Sequence, residues 1–272
     1  MADNRPIGIF DSGLGGLTVA KEIIDALPSE DIVYFGDTGR VPYGSRSRDT
    51  IRKYAAEDES FLLKQNVKLI VAACGTVSSV ASDIGAKLPV PYFEVVSPSV
   101  KSAVNETKNK KIGVIGTNAT INSGEHKRQI LELMPDAQVF VKGCPLFVPL
   151  VEEGWFESQD DVVKQTVERY LADIKKADVD TIILGCTHYP ILSKAISDYM
   201  GDSVKLINAG TSTALEIGKF ISENDMCNEN KKIGKHSFYV SDKADSFRRI
   251  ASLLLGKELD SDSVEQVDIN SL

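Results

Sequence analysis

Short apolar runs rich in β-branched residues recur from one end of the chain to the other, and segments with helical spacing separate them. Strands are predicted over residues 7–10, 32–35, 68–73, 91–94, 112–115, 138–141, 181–184, 204–207 and 238–240. Each run is bounded by polar residues, Gly or Pro, as expected of strands buried on both faces. Between them, Val163, Val167, Tyr170, Leu171 and Ile174 repeat at helical spacing, opened by Ser158 and acidic residues that suit a helix N-terminus. Phe247, Ile250, Ala251 and Leu254 repeat in the same way after Asp242. Strand and helix in alternation argue for parallel α/β sheets.

The chain also echoes itself. Arg5-Pro6-Ile7-Gly8-Ile9-Phe10-Asp11-Ser12-Gly13 is similar to Lys110-Lys111-Ile112-Gly113-Val114-Ile115-Gly116-Thr117-Asn118, about 105 positions later. Ile70-Val71-Ala72-Ala73-Cys74 is similar to Ile182-Ile183-Leu184-Gly185-Cys186, an offset of about 112. The spacing is domain-sized, and each cysteine is followed closely by a threonine. Buried strands resemble one another by chance, but matching cysteines favour duplication. The expected fold is therefore two pseudo-symmetric parallel-sheet α/β domains with a site in the cleft between them. Crossings are expected at Ser97-Pro98-Ser99 and Asn208-Ala209-Gly210. The expected division is 1–97 plus 209–272 for a discontinuous first domain and 98–208 for the second.

Charge narrows the partners. With 31 basic against 39 acidic groups the formal charge is −8. An acidic chain without a Lys/Arg run lacks the field that phosphate-backbone binding needs, so direct nucleic-acid binding is not expected. The apolar runs fall far short of a membrane span, and no charged-then-apolar leader follows Met1. Four scattered cysteines, at 74, 144, 186 and 227, form neither a disulfide scaffold nor a CxxC metal motif. The expectation is a soluble, cytoplasmic protein with free thiols and no metal.

Ligands of parallel α/β sheets gather at the carboxyl ends of strands. Five predicted strand ends carry polar or reactive groups: Asp11-Ser12, Asp37-Thr38, Cys74-Gly75-Thr76, Thr117 with Thr120, and Cys186-Thr187-His188. The set reads as a pocket for a small polar molecule bearing a carboxylate. Gly13-Leu14-Gly15-Gly16 lacks both the G-x-G-x-x-G spacing and a Walker lysine, and is read as a tight, closely packed turn. Cys144 and Cys227 are read as small buried hydrophobes, His126 and His236 as structural or solvent-facing. Cys74 and Cys186 differ because polar neighbours can assist them: Asp11 as a proton acceptor for Cys74, and His188 beside Cys186. Two thiols from matching halves suit inversion of a stereocentre, since one base reaches only one face of a carbon. A thiolate can take the proton while the opposite thiol returns one.

Several motifs then fall together. Phe10-Asp11-Ser12-Gly13-Leu14-Gly15-Gly16-Leu17-Thr18-Val19, Pro42-Tyr43-Gly44 and Leu184-Gly185-Cys186-Thr187-His188-Tyr189-Pro190 resemble bacterial glutamate racemases, the cofactor-independent branch of the aspartate/glutamate racemase superfamily. So do the segment from Cys144-Pro145-Leu146 to Glu152-Glu153-Gly154 and Ser246-Phe247-Arg248-Arg249-Ile250-Ala251. The resemblance spans roughly residues 5 to 257. It implies that Cys74 and Cys186 are the catalytic acid/base pair and that Asp11 and His188 assist them. It places Asp11, Ser12, Tyr43, Gly44, Gly75, Thr76, Thr117, Thr120, Thr187 and His188 around the substrate. One of Glu152 and Glu153 reaches the cleft or lies at a solvated helix end. Interconversion of L- and D-glutamate for peptidoglycan synthesis is implied, without pyridoxal phosphate or metal, by a protein for which a homodimer stays open.

Two departures bear on substrate. The family usually reads Cys-Asn-Thr at the first thiol, where this chain has Cys74-Gly75-Thr76, and it more often has an acidic residue near Asn208. A missing amide would remove a hydrogen bond to a charged head group, of about 1.5–3 kcal/mol. That leaves room for a bridging water or for another acidic amino acid such as aspartate, and Gly75→Asn is expected to restore the contact. A third reading is a binding protein on the same fold, since members of the family are described that bind and inhibit DNA gyrase.

Overall fold

Burial turns the apolar runs into strands. In the computed structural model, which describes residues 2–229, 232–242, 244–256, 258–259 and 263–269, the strands are β1 (Ile7–Asp11), β2 (Ile32–Gly36), β3 (Leu69–Ala72), β4 (Tyr92–Glu94), β5 (Lys111–Gly116), β6 (Gln138–Gly143), β7 (Thr181–Leu184), β8 (Lys205–Asn208), β9 (His236–Val240) and β10 (Val264–Gln266). All nine predicted strands are present, with ends shifted by at most two residues. β1, β2, β3 and β7 are buried throughout, which explains their unbroken apolar reading. β10 went unpredicted because Val264-Glu265-Gln266 is short and holds one buried apolar residue.

The strands form two sheets, ordered β10-β9-β2-β1-β3-β4 and β6-β5-β7-β8. Every pairing is parallel. β2-β1-β3-β4 matches β6-β5-β7-β8 strand for strand, and the registers match too. Ile7 lies opposite Leu69 in the first sheet and Ile112 opposite Thr181 in the second. Those pairs stand 105 and 112 positions apart (112 − 7 and 181 − 69), the offsets of the internal echo. Resemblance between two buried strands extends here to the whole four-strand order.

Helices close the faces. The helix Asp161–Lys176 buries Val163, Val167, Leu171 and Ile174 on one stripe. Each such side chain contributes roughly 1.5–3 kcal/mol by leaving water. Its cap is Asp160, whose carboxylate accepts from Val162 N at 2.8 Å and Val163 N at 3.1 Å; the helix starts later than Ser158 because Asp160 N closes a turn onto Glu157 O. The helix Ala244–Leu255 presses Phe247 against Tyr34 and Phe238.

Two strand ends launch the helices at the crossings. Glu94, at the end of β4, accepts from Val96 N and from Ser97 N at 2.5 and 2.7 Å and so starts the helix Val96–Glu106. That helix buries Val96, Val100 and Ala103 with Ile112, Val114, Ile183 and Ile207 of the second sheet. Asn208, at the matching end of β8, accepts from Gly210 N at 2.9 Å and starts the helix Ala209–Glu223. Ala214, Ile217 and Ile221 of this helix bury with Ile7, Ile9 and Leu17 of the first half. The Asn208 amide also donates to Glu22 Oε1 at 3.2 Å, a bond that a carboxylate at 208 could not make.

Candidate active site

The two thiols emerge at equivalent places. Phe10 pairs with Ala72 at the end of the β1–β3 ladder, Ile115 with Leu184 at the end of the β5–β7 ladder, and each thiol stands two residues further on. Cys74 then precedes the helix Gly75–Val80, and Cys186 precedes the turn Tyr189–Leu192. Both are buried, at 4% and 8% exposure, so neither is a surface thiol open to chance chemistry.

Their surroundings differ. Cys74 Sγ lies 3.6 Å from Ser12 Oγ. Burial, the Asp11 charge and Cys186 push the Cys74 thiol up to about 12, so it keeps its proton at neutral pH. Cys186 Sγ lies 3.9 Å from His188 Nδ1. On the far side of that ring, Nε2 is 3.2 Å from Glu152 Oε1, an ion-pair distance outside hydrogen-bond angles. Burial pulls His188 down, but the Cys186 sulfur and the Glu152 carboxylate outweigh it and raise the imidazole to about 10. His188 is therefore cationic at neutral pH, beside the second thiol. Glu152, and not Glu153, is the acidic residue that reaches it.

Asp11 joins the two sides. It is fully buried, and burial raises its carboxyl against the opposing pull of His188. One oxygen accepts from Gly13 N at 3.0 Å, and the other accepts from Thr187 Oγ1 at 3.4 Å across the two halves. Thr18, which the sequence reading did not single out, adds a second tie by donating to Thr187 O at 2.8 Å.

The glycine turn is a packing device, and its partner is the loop of the second thiol. A Cβ on Gly15 would stand 2.3 Å from Thr187 Oγ1 and 2.4 Å from His188 Nδ1. No side chain fits there, so glycine is what lets the first half approach. Tyr34 OH donates to Gly13 O at 2.8 Å and fixes the turn from below.

Hydroxyls also meet between the two halves. Thr76 Oγ1 is 3.1 Å from Thr117 Oγ1, which is 3.0 Å from Thr120 Oγ1. This chain of hydroxyls runs from the first half into the second. Gly44 lies against it, so close that a Cβ at 44 would stand 2.7 Å from Thr117 Cβ. The Tyr43 hydroxyl points elsewhere, between Asp37 and Asp58 Oδ2, 2.9 Å from the latter. Tyr43 OH is thus shared between the two carboxylates. Burial together with Asp37 holds Asp58 well above the usual carboxylate range. Arg40 completes the cluster through Asp37, Asp58 and Glu57. Asp37-Thr38 thus supports the Tyr43 turn instead of facing a ligand, and Thr38 itself donates to Asp242 O at 2.5 Å.

Outside the cleft, Cys144 is buried in the second core as expected, whereas Cys227 is exposed. The segment that carries Cys227, after the helix Ala209–Glu223, leaves that thiol at the surface. His126 is buried, and burial holds it down to about 4, so it is neutral. Among the described residues, no helix is long and apolar enough to cross a membrane and no three His, Cys, Asp or Glu side chains gather as metal ligands.

Comparison with known proteins gives one consistent answer. Residues 12–216 match the Asp/Glu/hydantoin racemase family. A glutamate racemase of Geobacter metallireducens is 42% identical over 256 residues, covering 94% of each chain. The structure of glutamate racemase from Francisella tularensis in complex with D-glutamate superposes with a TM-score of 0.91 at 39% identity, covering 99% of this chain and 100% of that one. A Bacillus anthracis glutamate racemase gives a TM-score of 0.93 at 36% identity over 98% of both chains.

Proposed function

The chain belongs to the Asp/Glu/hydantoin racemase family, and on that premise we propose that it interconverts L- and D-glutamate by proton transfer between two thiols. The observation that carries this reading is the pair of buried cysteines at matched strand ends of two opposed halves. One thiolate removes the α-proton: the C–H bond breaks, its electron pair stays on the carbanion, and an S–H bond forms. The opposite thiol then gives its proton to the other face, leaving the inverted centre and a thiolate. The thiol that faces the α-hydrogen of the bound enantiomer acts as base and its partner as acid, with Ser12 beside Cys74 and cationic His188 beside Cys186. The roles exchange at each turnover.

Asp11, Ser12, Thr76, Thr117, Thr120 and Thr187 surround the substrate in this reading, with Tyr43, Gly44 and Gly75 shaping the wall through backbone. The chemistry requires neither pyridoxal phosphate nor metal, because thiols and positioned dipoles move the proton. We place the activity in the cytoplasm, where thiols stay reduced and D-glutamate enters peptidoglycan precursors. The charge of −8 supports a reading without direct nucleic-acid contact. The two halves divide as 1–97 plus 209–272 and 98–208, supported by where the helices at the two crossings are buried.

The test is an assay of the purified protein on both enantiomers of glutamate and of aspartate, without added cofactor. Interconversion of glutamate, with aspartate slower, is the expected outcome. Preference for aspartate, or no racemisation of either, contradicts the proposal.

A further inference from the structure

Thr187 sits between the second thiol and its imidazole, and the turn that follows offers its carbonyl no donor. Tyr189 N is committed to Cys186 O at 3.0 Å and Ile191 N to His188 O at 3.2 Å. Between them stands Pro190, which has no N–H to give. The donor comes from the opposite half, where Thr18 Oγ1 lies 2.8 Å from Thr187 O. That hydroxyl is also 2.9 Å from Gly15 O, but Gly15 O already accepts from Thr18 N at 3.0 Å. The single hydroxyl proton is needed at Thr187.

Thr18 is a fixed point. It lies in the first turn of the helix Leu17–Ala26, whose Leu17, Val19, Ala20 and Ile23 are buried in the core of the first half. Water is a poor substitute for it. The cavity that Thr18, Thr187 and Pro190 line with Cys186 measures about 10 Å³, at the lower limit of what one ordered water needs. Without the hydroxyl, the Thr187 carbonyl gains a donor only by moving, and Cys186 and His188 flank it in the chain and move with it. The Asp11 contact engages the Thr187 side chain at 3.4 Å and leaves the carbonyl unserved. Cys74, with Ser12 Oγ as its neighbour, stands on the other half.

We propose that Thr18 is a positioning residue for the second thiol, its hydroxyl reaching across the cleft to Thr187 O and holding the Cys186–His188 loop where the thiol meets the α-carbon. The proposal rests on the two-thiol reading above. Misplacement by about 1 Å at a reacting centre costs roughly 100-fold in rate.

The experiment compares wild type with Thr18→Val, which keeps the shape and removes the hydroxyl, and with Thr18→Ser, which keeps the hydroxyl. It follows glutamate racemisation in both directions with α-protonated and α-deuterated substrate. It also follows iodoacetamide alkylation of Cys74 and Cys186 near pH 9.5, above the ordinary thiol pKa, so that access sets the rate. The expected result for Thr18→Val is a fall in kcat of roughly ten- to a hundred-fold with a smaller change in KM. The α-deuterium effect on kcat/KM should rise in one direction and fall in the other, because only the step at Cys186 has slowed. Cys186 should alkylate faster while Cys74 keeps its wild-type rate, and Thr18→Ser should restore most of each property. Near-normal turnover in Thr18→Val, a serine variant as impaired as the valine one, or unchanged alkylation of Cys186 would overturn the proposal. So would failure of Thr18→Val to fold in melting curves, because the hydroxyl is assigned to one loop and not to the fold. If wild type does not racemise glutamate but Cys186 alone alkylates faster in Thr18→Val and recovers in Thr18→Ser, the positioning role stands and the functional reading falls.

Discussion

The Thr187 hydroxyl of one half lies 3.4 Å from the Asp11 carboxylate of the other, in a setting where Asp11 has no exposure at all. The loop bearing Cys186 is therefore tied to the strand whose charge governs Cys74. A change at Asp11 should register at both thiols.

The sign of that change follows from the electrostatics. The Asp11 anion is one of the groups that raise Cys74. Asp11→Asn removes the charge while keeping the shape, so the Cys74 thiol should ionise at lower pH. The variant should alkylate faster at Cys74 near pH 8 and show its alkaline activity limb displaced downward. Turnover should fall by roughly 100-fold or more, the usual scale of a misplaced proton-transfer partner. An unmoved alkylation profile would show that Asp11 does not act on Cys74.

Each thiol should be indispensable. Cys74→Ser and Cys186→Ser replace sulfur by a hydroxyl far too weak an acid to exchange roles at neutral pH. Either variant should lose nearly all racemisation while keeping its fold, which glutamate turnover and circular dichroism together would establish. Near-normal turnover in either one would remove the two-base mechanism.

Stability away from the site depends on one buried ion pair. Lys68 Nζ, with no exposure, meets Glu30 Oε2 at 2.5 Å and donates to Asp3 O at 2.9 Å and Met226 O at 2.7 Å. These bonds draw the N-terminal segment, β3 and the segment after the helix Ala209–Glu223 to one point. Lys68→Met leaves Glu30 buried and uncompensated, and should cost about 3–5 kcal/mol in urea unfolding. A loss below about 1 kcal/mol would show that Glu30 simply protonates or finds water.

Glu59 should give the fold a pH dependence. It is buried beside the Tyr92 hydroxyl, and burial lifts its carboxyl to about 7 from 4.5. A raised acid contributes stability that is fully present below pH 4.5 and is lost as pH rises toward 7. Glu59→Gln should therefore stabilise the protein at pH 8 by roughly 1–3 kcal/mol and have little effect at pH 4.5. Equal effects at both pH values would contradict the assignment.

Much of this architecture was legible in the sequence, for physical reasons. Strands buried on both faces, such as Ile7–Asp11 and Thr181–Leu184, leave unbroken apolar runs, and repetition of the Cys-bearing strand exposed the duplication. The thiols were legible because strand ends in parallel sheets are where ligands gather. What the sequence hid depends on contacts across the two halves. Nothing local to Gly15 or Gly75 reveals that Thr187, His188 and Gly185 press against them. Likewise, Tyr43 reads as a substrate group until its hydroxyl is found between Asp37 and Asp58. Glu152 and Glu153 are alike in sequence, and only helix geometry turns the former toward His188.

The central claim is that two thiols act from opposite faces of the substrate, and racemisation in D₂O tests it most directly. Starting from either enantiomer, and sampled before the first half-life, the inverted product should carry solvent deuterium at the α-carbon while the remaining substrate keeps its hydrogen. Deuterium accumulating chiefly in unreacted substrate of the starting hand would mean that a single base removes and returns the proton, contradicting the account.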